Sequence, residues 1–264
     1  WPLEILIVDD CSTDASLQLA LQLAAEFSNV RVFQLPKNGG ITAARKVAIF
    51  AAQCQWITII DADDYIEKDA IATALAKAIA EDSDMCIWQL WRFDDERAWC
   101  GMQLDNLSFP RTGRQAVIGT LGRYSIHPLG VCKKELYISA YRHFNEHCSD
   151  NELIARLAIS VAKQVSVCDK RYFYRVNPNS ITGLKHVKKL SKLQAAIWVV
   201  KFSKNYPEVS PAVAGSRAIS YAWNAIKNRK HYGTKATSDA LSIFIAQMLE
   251  HGNLKKWLWR YPKQ

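Results

Sequence analysis

The sequence predicts an α/β protein, with a mostly parallel central sheet flanked by helices and a basic helical region at its C-terminal end. Three observations carry this prediction. Short apolar runs alternate with amphipathic stretches through the first hundred residues, the pattern of parallel strands joined by right-handed crossovers. Two of those runs end in aspartates. Charge is also divided unevenly: residues 184–264 hold 15 Lys and Arg against 3 Asp and Glu, whereas residues 1–183 hold 19 against 22, so +12 stands against −3.

The elements follow in order. Leu3–Val8 is an apolar run of the kind found in buried parallel strands, and it ends at Asp9-Asp10. Cys11-Ser12-Thr13-Asp14 supplies N-cap chemistry for an amphipathic helix with Leu17, Leu21, Ala24 and Phe27 at helical spacing. Val30–Leu35 is a short strand, Pro36–Gly40 a turn and Ala43–Ala52 an Ala-rich helix. Trp56–Ile60 is a second buried strand and runs into Asp61-Ala62-Asp63-Asp64. Asp69–Ala80 is a helix and Met85–Trp91 a strand. After Trp99 the pattern weakens, and Gly101–Gly130 is rich in turn residues. Asp150–Ala162 is a helix with acid in its first turn, where the helix dipole favours it. Arg171–Arg175 is a short aromatic strand. From Lys188 the chain is helical and basic, with a break at Pro207 and Pro211.

Composition bounds the class. Hydrophobic residues make up 49% and charged residues 22% of 264, which excludes wholesale disorder. A chain this long buries about 70–75% of its unfolded surface and needs no staples. No apolar run reaches the roughly 18–20 residues of a membrane span. The start, Trp1-Pro2-Leu3-Glu4, lacks Met and a basic segment and is not a signal peptide. Seven cysteines stand singly with no CxxC pair, which reads as reduced thiols in a cytoplasmic protein. The basic last third suits an anionic partner, a membrane surface or nucleic acid; a solvated helical surface explains it equally well.

The aspartates point to chemistry. The C-terminal edge of an open α/β sheet is where ligands bind. Acids gathered there repel one another unless a hard cation neutralises them, and carboxylate oxygens are what Mg2+ and Mn2+ favour. Helix capping explains Asp14 or Asp69 but not three acids in the four positions 61–64. These residues indicate a divalent-metal phosphate site.

Three families offer such a site. ILIVDD resembles the acidic start of a phospho-acceptor receiver domain, but nothing after Asp61 reads as that family's switch. WITIIDADD resembles the DxD of aspartate-nucleophile phosphatases, but Tyr65 stands where they carry Thr or Val. The third resemblance covers five segments in order. LEILIVDDCSTD resembles the (E)IIVVDDGSTD segment of family 2 glycosyltransferases with the GT-A fold. KNGGITAARKVAIFAA resembles their NxGxxxARNxGxxxA, and WITIIDADD their YIxFLDADD with its DxD metal motif. FNEHCSDNELIARL resembles their acceptor-side ED segment, and FYRVNPNSIT the segment closing the catalytic domain. Together these span Leu3 to Thr182, about two-thirds of the chain. Cys11 departs from the Gly of DGS, Lys46 and Ala48 from the Asn and Gly of ARNxG, and Ser149 from the Glu of the ED pair. The family's first strand has no counterpart before Trp1, so the sequence reads as truncated, with an open sheet edge and an incomplete base pocket.

The resemblance implies roles. Asp63 and Asp61 are placed at a Mn2+ or Mg2+ ion, with Asp61 also at the ribose; Asp64 is either a further ligand or structural. Asp10 is placed at the nucleobase with Asp9 beside it. Arg45 either reaches a phosphate or faces solvent. Asp150 is the general base of a single-displacement, inverting transfer or only caps its helix, with Glu152 as fallback. The implied partners are a nucleotide-diphosphate sugar donor and a growing glycan acceptor, either a surface polysaccharide, lipopolysaccharide or lipid-linked chain. Nucleic acid is not expected. Residues 1–100 would form the donor half, 101–183 the acceptor half and 184–264 the basic helical region, which a lipid-linked acceptor would draw to the inner face of a membrane. The terminal cluster Lys255–Tyr261 suits that interface. A rival reading is an impaired nucleotide- or glycan-binding module of the same fold. His143–His147 matches the HxxEH zinc pattern but lacks a helical apolar face. Trp88, Trp91 and Trp99 are core by default, although an exposed Trp99 would suit an acceptor platform.

Overall fold

A computed structural model of the chain describes residues 2–102, 108–121, 129–142, 151–176, 189–209, parts of 218–227 and 234–250. The elements run β1 (Ile5–Asp9), α1 (Ser16–Glu26), β2 (Val30–Gln34), α2 (Gly40–Ala51), β3 (Trp56–Ile57), β4 (Tyr65–Ile66), α3 (Ala70–Ala80) and β5 (Met85–Phe93). They continue with β6 (Ala98–Met102), α4 (Gly113–Ile118), β7 (Gly130–Lys133), α5 (Lys134–Arg142), α6 (Asn151–Ser160) and β8 (Val165–Arg175). The helices α7 (Lys189–Ser203) and α8 (Thr234–Glu250) follow.

The α/β layering holds, but the strand pairing corrects the expectation of a mostly parallel sheet. β1 and β2 form a separate parallel pair, and the other strands form a six-stranded sheet ordered β3-β7-β5-β8-β4, with β6 also paired to β5. Within that sheet only β5 and β8 run parallel. Two pairings produce this: β6 folds back on β5 as a hairpin, and β7, from the weakly patterned stretch after Trp99, inserts antiparallel between β3 and β5. Trp56–Ile60 has the composition of a five-residue strand, yet only Trp56 and Ile57 find ladder partners. Among the described residues no strand joins β1 to β3.

β5 is central and buried on both faces. Met85 and Ile87 face α4, α5 and α6 together with Val165, while Cys86 and Trp88 face α3 together with Tyr172. On α3, Ala70, Ala74 and Ala78 recur every four residues and let the helix lie close to the sheet. Gly130 permits a close approach: a Cβ there would meet the Cys86 carbonyl oxygen at 2.0 Å. On α6, Arg156 is fully buried and donates to the Thr120 hydroxyl and carbonyl, both at 3.0 Å, tying that helix to the end of α4. Removing either partner would strand a buried polar group.

α1 packs less deeply than its periodicity suggests. Only Ala20 is buried, while Leu21 and Phe27 are exposed, because α1 covers a sheet of just two strands. Asp14 accepts from the Ser16 N–H at 3.0 Å and so serves the start of α1. The Asp69 side chain makes no capping bond; only its carbonyl joins α3. In the C-terminal region, α7 sends Val199 and Phe202 into the main core and packs Leu193 and Ile197 against Ala222. Among the described residues no helix is long and apolar enough to cross a membrane. His143–His147 and Lys255–Tyr261 lie outside the described residues.

The turn after β1 carries strain. Cys11, which stands where the family pattern has Gly, has φ +62° and is exposed. A side chain in this left-handed region costs about 1–2 kcal/mol, offset partly by the greater unfolded-state freedom of glycine. Cys11→Gly is therefore expected to stabilise the chain by about 0.5–1 kcal/mol in urea unfolding; a loss of stability would show that the Cys11 side chain makes a compensating contact.

Candidate functional site

The site lies at the C-terminal ends of β1 and β3, beside the start of α2. Asp9 is buried, and its Oδ2 accepts from the Ser12 N–H at 3.2 Å while its carbonyl accepts from Leu35. It closes the strained turn. Asp10 accepts from the Gly39 and Gly40 N–H groups at 2.7 and 2.8 Å, one with each carboxylate oxygen. These are orphan donors at the start of α2, so its charge is also favoured by the helix dipole. Gly40 has φ +77°, which explains a glycine there. Asp10 thus clamps the Pro36–Gly40 turn to the end of β1.

Arg45 sits one turn into α2 and points inward. Its Nη2 donates to Asp61 Oδ1 at 2.5 Å, and its side chain is only 15% exposed. The solvent-facing alternative is therefore excluded. Burial disfavours its charge, but Asp61 more than restores it and holds the guanidinium above its ordinary value. Arg45 Nε is buried with no protein partner among the described residues. A small cavity of about 20 Å³ separates Arg45 and Ile59 from Tyr141 and from Ile154 and Ala155 of α6.

The acidic turn is held from above by β8. The Asp64 N–H donates to the Asp61 carbonyl at 3.0 Å, making a tight turn. The Tyr172 hydroxyl accepts from the Asp61 N–H at 3.1 Å and donates to Asp64 Oδ2 at 2.6 Å. The Arg175 N–H donates to Asp64 Oδ1 at 2.8 Å, and its Nε donates to the Asp63 carbonyl at 3.1 Å. Asp64 is thus a structural anchor. Burial pushes its carboxyl above the ordinary value, its two hydrogen bonds oppose that, and the charges of Asp63 and Asp61 add to it. Burial and the bond to Asp64 likewise push the Tyr172 phenol up, so it stays protonated as a donor. Tyr172 and Arg175 escaped the sequence reading as site residues. The signal was there, an aromatic-basic strand in the closing segment, but only the register of β8 on β4 shows that it meets the aspartates.

Asp63 presents an exposed carboxylate with no side-chain partner among the described residues. Among those residues no three His, Cys, Asp or Glu side chains converge as a ready-made metal cage. The donor set nevertheless fits a cation that arrives with phosphates, since Mg2+-type ions take one or two carboxylates and complete their shell with phosphate oxygens and water. Asp63 is available for that, and Asp61 retains the oxygen that Arg45 leaves. Asp150 lies outside the described residues, just before α6, and nothing is described of the Glu152 side chain.

The tryptophans divide. Trp88 is core, its indole donating to the Ala70 carbonyl at 3.1 Å. Trp91 is half-buried, with the Arg171 guanidinium 4.5 Å from its ring centre. Trp99 is half-buried under Arg97, neither the core residue expected by default nor the exposed alternative.

Comparison with known proteins places this geometry. The structure is similar to a crystal structure of residues 1–349 of Staphylococcus aureus TarS, with TM-score 0.65 at 19% identity, covering 92% of this chain and 71% of that one. A crystal structure of the same TarS segment with UDP-GlcNAc gives TM-score 0.67, also at 19% identity, over 92% and 72% of the two chains. These likenesses show the GT-A fold. In sequence, the chain is 24% identical to Streptococcus pneumoniae glycosyltransferase GlyG over 68% of its own length. It is 27% identical to the S. aureus poly(ribitol-phosphate) β-N-acetylglucosaminyltransferase TarS over 65%. It spans 63% of GlyG and 30% of TarS. The model of the family described as "Glycosyl transferase family 2" matches residues 2–139, more than half of the sequence, and the chain therefore belongs to that family.

Proposed function

We propose that the chain binds a nucleotide-diphosphate sugar and transfers its sugar, with inversion, to a hydroxyl of a growing glycan. The observation that carries this reading is the exposed Asp63 carboxylate on a backbone turn locked by Tyr172 and Arg175, in a chain of this family. The UDP and UDP-GlcNAc complexes of TarS support a nucleotide-sugar donor, with UDP-sugars the first to test. The acceptor proposed is a surface polysaccharide, lipopolysaccharide or lipid-linked chain. Residues 1–100 are proposed as the donor half, 101–183 as the acceptor half and 184–264 as a basic docking region in the cytoplasm.

The residues divide the work. Asp10, whose oxygens keep lone pairs beyond their bonds to Gly39 and Gly40, accepts from the nucleobase. Asp63 and the second oxygen of Asp61 would hold Mn2+ or Mg2+, which as a Lewis acid stabilises the leaving diphosphate. Arg45 fixes the rotamer of Asp61 and adds positive charge behind the phosphates. Asp150 takes the proton from the acceptor hydroxyl as its oxygen bonds the anomeric carbon and the bond to the diphosphate breaks. The second reading, an impaired binding module, is favoured by Ser149 in place of the ED glutamate and by the Arg45–Asp61 pair, which occupies one expected metal-binding oxygen.

Asp63→Ala is expected to abolish Mn2+-dependent binding of the nucleotide sugar in calorimetry while circular dichroism stays unchanged; undiminished affinity would remove Asp63 from the metal. Asp150→Asn should bind donor normally and lose sugar transfer, or Mn2+-dependent donor hydrolysis, by about 10²–10⁴-fold. If the wild type binds donor but neither transfers nor hydrolyses it, the binding-module reading wins. Docking through the C-terminal region predicts co-sedimentation with phosphatidylglycerol vesicles but not phosphatidylcholine vesicles, weakened by salt and lost when residues after Asn253 are removed. Indifference to anionic vesicles at low salt would make that basic surface merely solvated.

A further inference from the structure

The acid turn is shaped by a hydroxyl that no carboxylate chemistry requires. Tyr172 is fully buried, its ring stacked 6.3 Å from Trp88. Its oxygen reaches both ends of the turn, taking the Asp61 N–H and giving its proton to Asp64. Asp64 in turn holds the Arg175 N–H, and Arg175 holds the Asp63 carbonyl. The Asp61 N–H is thus held by the phenol directly, and the Asp63 carbonyl is linked to it through Asp64 and Arg175. A site of this kind works only when the groups behind its ligands keep them in place, because small displacements of positioned groups are expensive.

We propose that Tyr172 is a positioning residue of the donor site, its hydroxyl holding the Asp61–Asp64 turn in the shape that receives a cation-bound nucleoside diphosphate. This rests on the donor reading above. Without the hydroxyl, the half-buried Asp64 carboxylate loses a donor and the Asp61 N–H loses its acceptor. Asp64 then turns toward water and the turn loosens. The ring, which supplies the packing, is untouched by this loss, so packing and positioning separate experimentally.

The experiment compares the wild type, Tyr172→Phe, Asp64→Asn and Trp88→Phe. It measures Mn2+ alone by electron paramagnetic resonance, UDP with Mn2+ by calorimetry, and thermal unfolding. Tyr172→Phe is expected to raise both dissociation constants at least tenfold. In donor hydrolysis the same factor should appear in KM, with kcat changed less than threefold. Asp64→Asn should weaken binding likewise, because its single carbonyl oxygen can accept from the Tyr172 hydroxyl or from the Arg175 N–H but not from both; it carries the test should Tyr172→Phe fail to fold. Trp88→Phe disturbs the packing behind the ring and should lower the melting temperature while leaving both dissociation constants within twofold. The proposal is overturned if Tyr172→Phe, or Asp64→Asn in its place, binds within twofold of the wild type. It is equally overturned if Trp88→Phe weakens binding as much. A wild type that binds neither Mn2+ nor UDP with Mn2+ overturns the donor reading and this proposal together.

Discussion

The parallel pairing of β5 with β8 sets the position of nearly everything else in the molecule. Its first half builds the core, where Met85–Ile87 lie against Val165–Val167 and supply both faces of the central sheet. Between Ile87 and Gln89 the register shifts, and β8 gains residues relative to β5. The second half then runs out past the core as far as Arg175, opposite Phe93, and overhangs the acid turn. Polar anchors at the lower end hold the pair in register. Asp84 takes the Lys133 ammonium and the Lys163 N–H, both at 2.7 Å, and Arg111 bridges to Val165. A slip of one residue would send Tyr172 to the opposite face and leave the aspartates without their lock.

Electrostatics explains why so many bonds converge on that turn. Three carboxylates within four residues repel one another, and the repulsion grows where burial removes water. Each acid is relieved differently. Asp61 is paired with a nearly buried guanidinium, Asp64 receives a phenol and a backbone N–H, and Asp63 is left to solvent. Asp63 alone of the three has a wholly unengaged carboxylate among the described residues, whereas Asp61 keeps one oxygen beyond its bond to Arg45. Arg175 adds a second positive group, but spends it on the Asp63 carbonyl and a long contact to Asp95 at 3.4 Å.

Legibility in the sequence followed the range of the interactions. β1, the start of β3 and α2 were readable because apolar runs, aspartates at strand ends and the Asn-Gly-Gly turn are local signals. The mixed pairing was not, since the order of β7, β5 and β8 depends on contacts far apart in the chain. α1 shows the opposite failure: its leucines have helical spacing, but how many are covered depends on the width of the sheet beneath. At the site, the clustering of Asp61, Asp63 and Asp64 in one turn was legible. The division of labour among them was not, because it is imposed by Tyr172, more than a hundred residues later. Arg45 was found but left open between phosphate and solvent; only its burial against Asp61 shows it turned inward.

The departures from the family pattern can be ranked by what the backbone demands of each position. Lys46 is exposed on a regular helix, where any good helix former serves. Ala48 is half-buried on the same helix and, as the best helix former, fits there without strain. Cys11 is different, because its position requires positive φ and glycine alone meets that without cost. The strain is accepted at the turn between β1 and α1, directly beside Asp10, where Asp9 and Asp10 tie the neighbouring backbone to Ser12, Gly39 and Gly40. A strained residue persists only where its surroundings over-determine it. The two aspartates that end β1 therefore do structural work whatever ligand they meet: they hold the turn beside the donor edge in a conformation its own sequence disfavours.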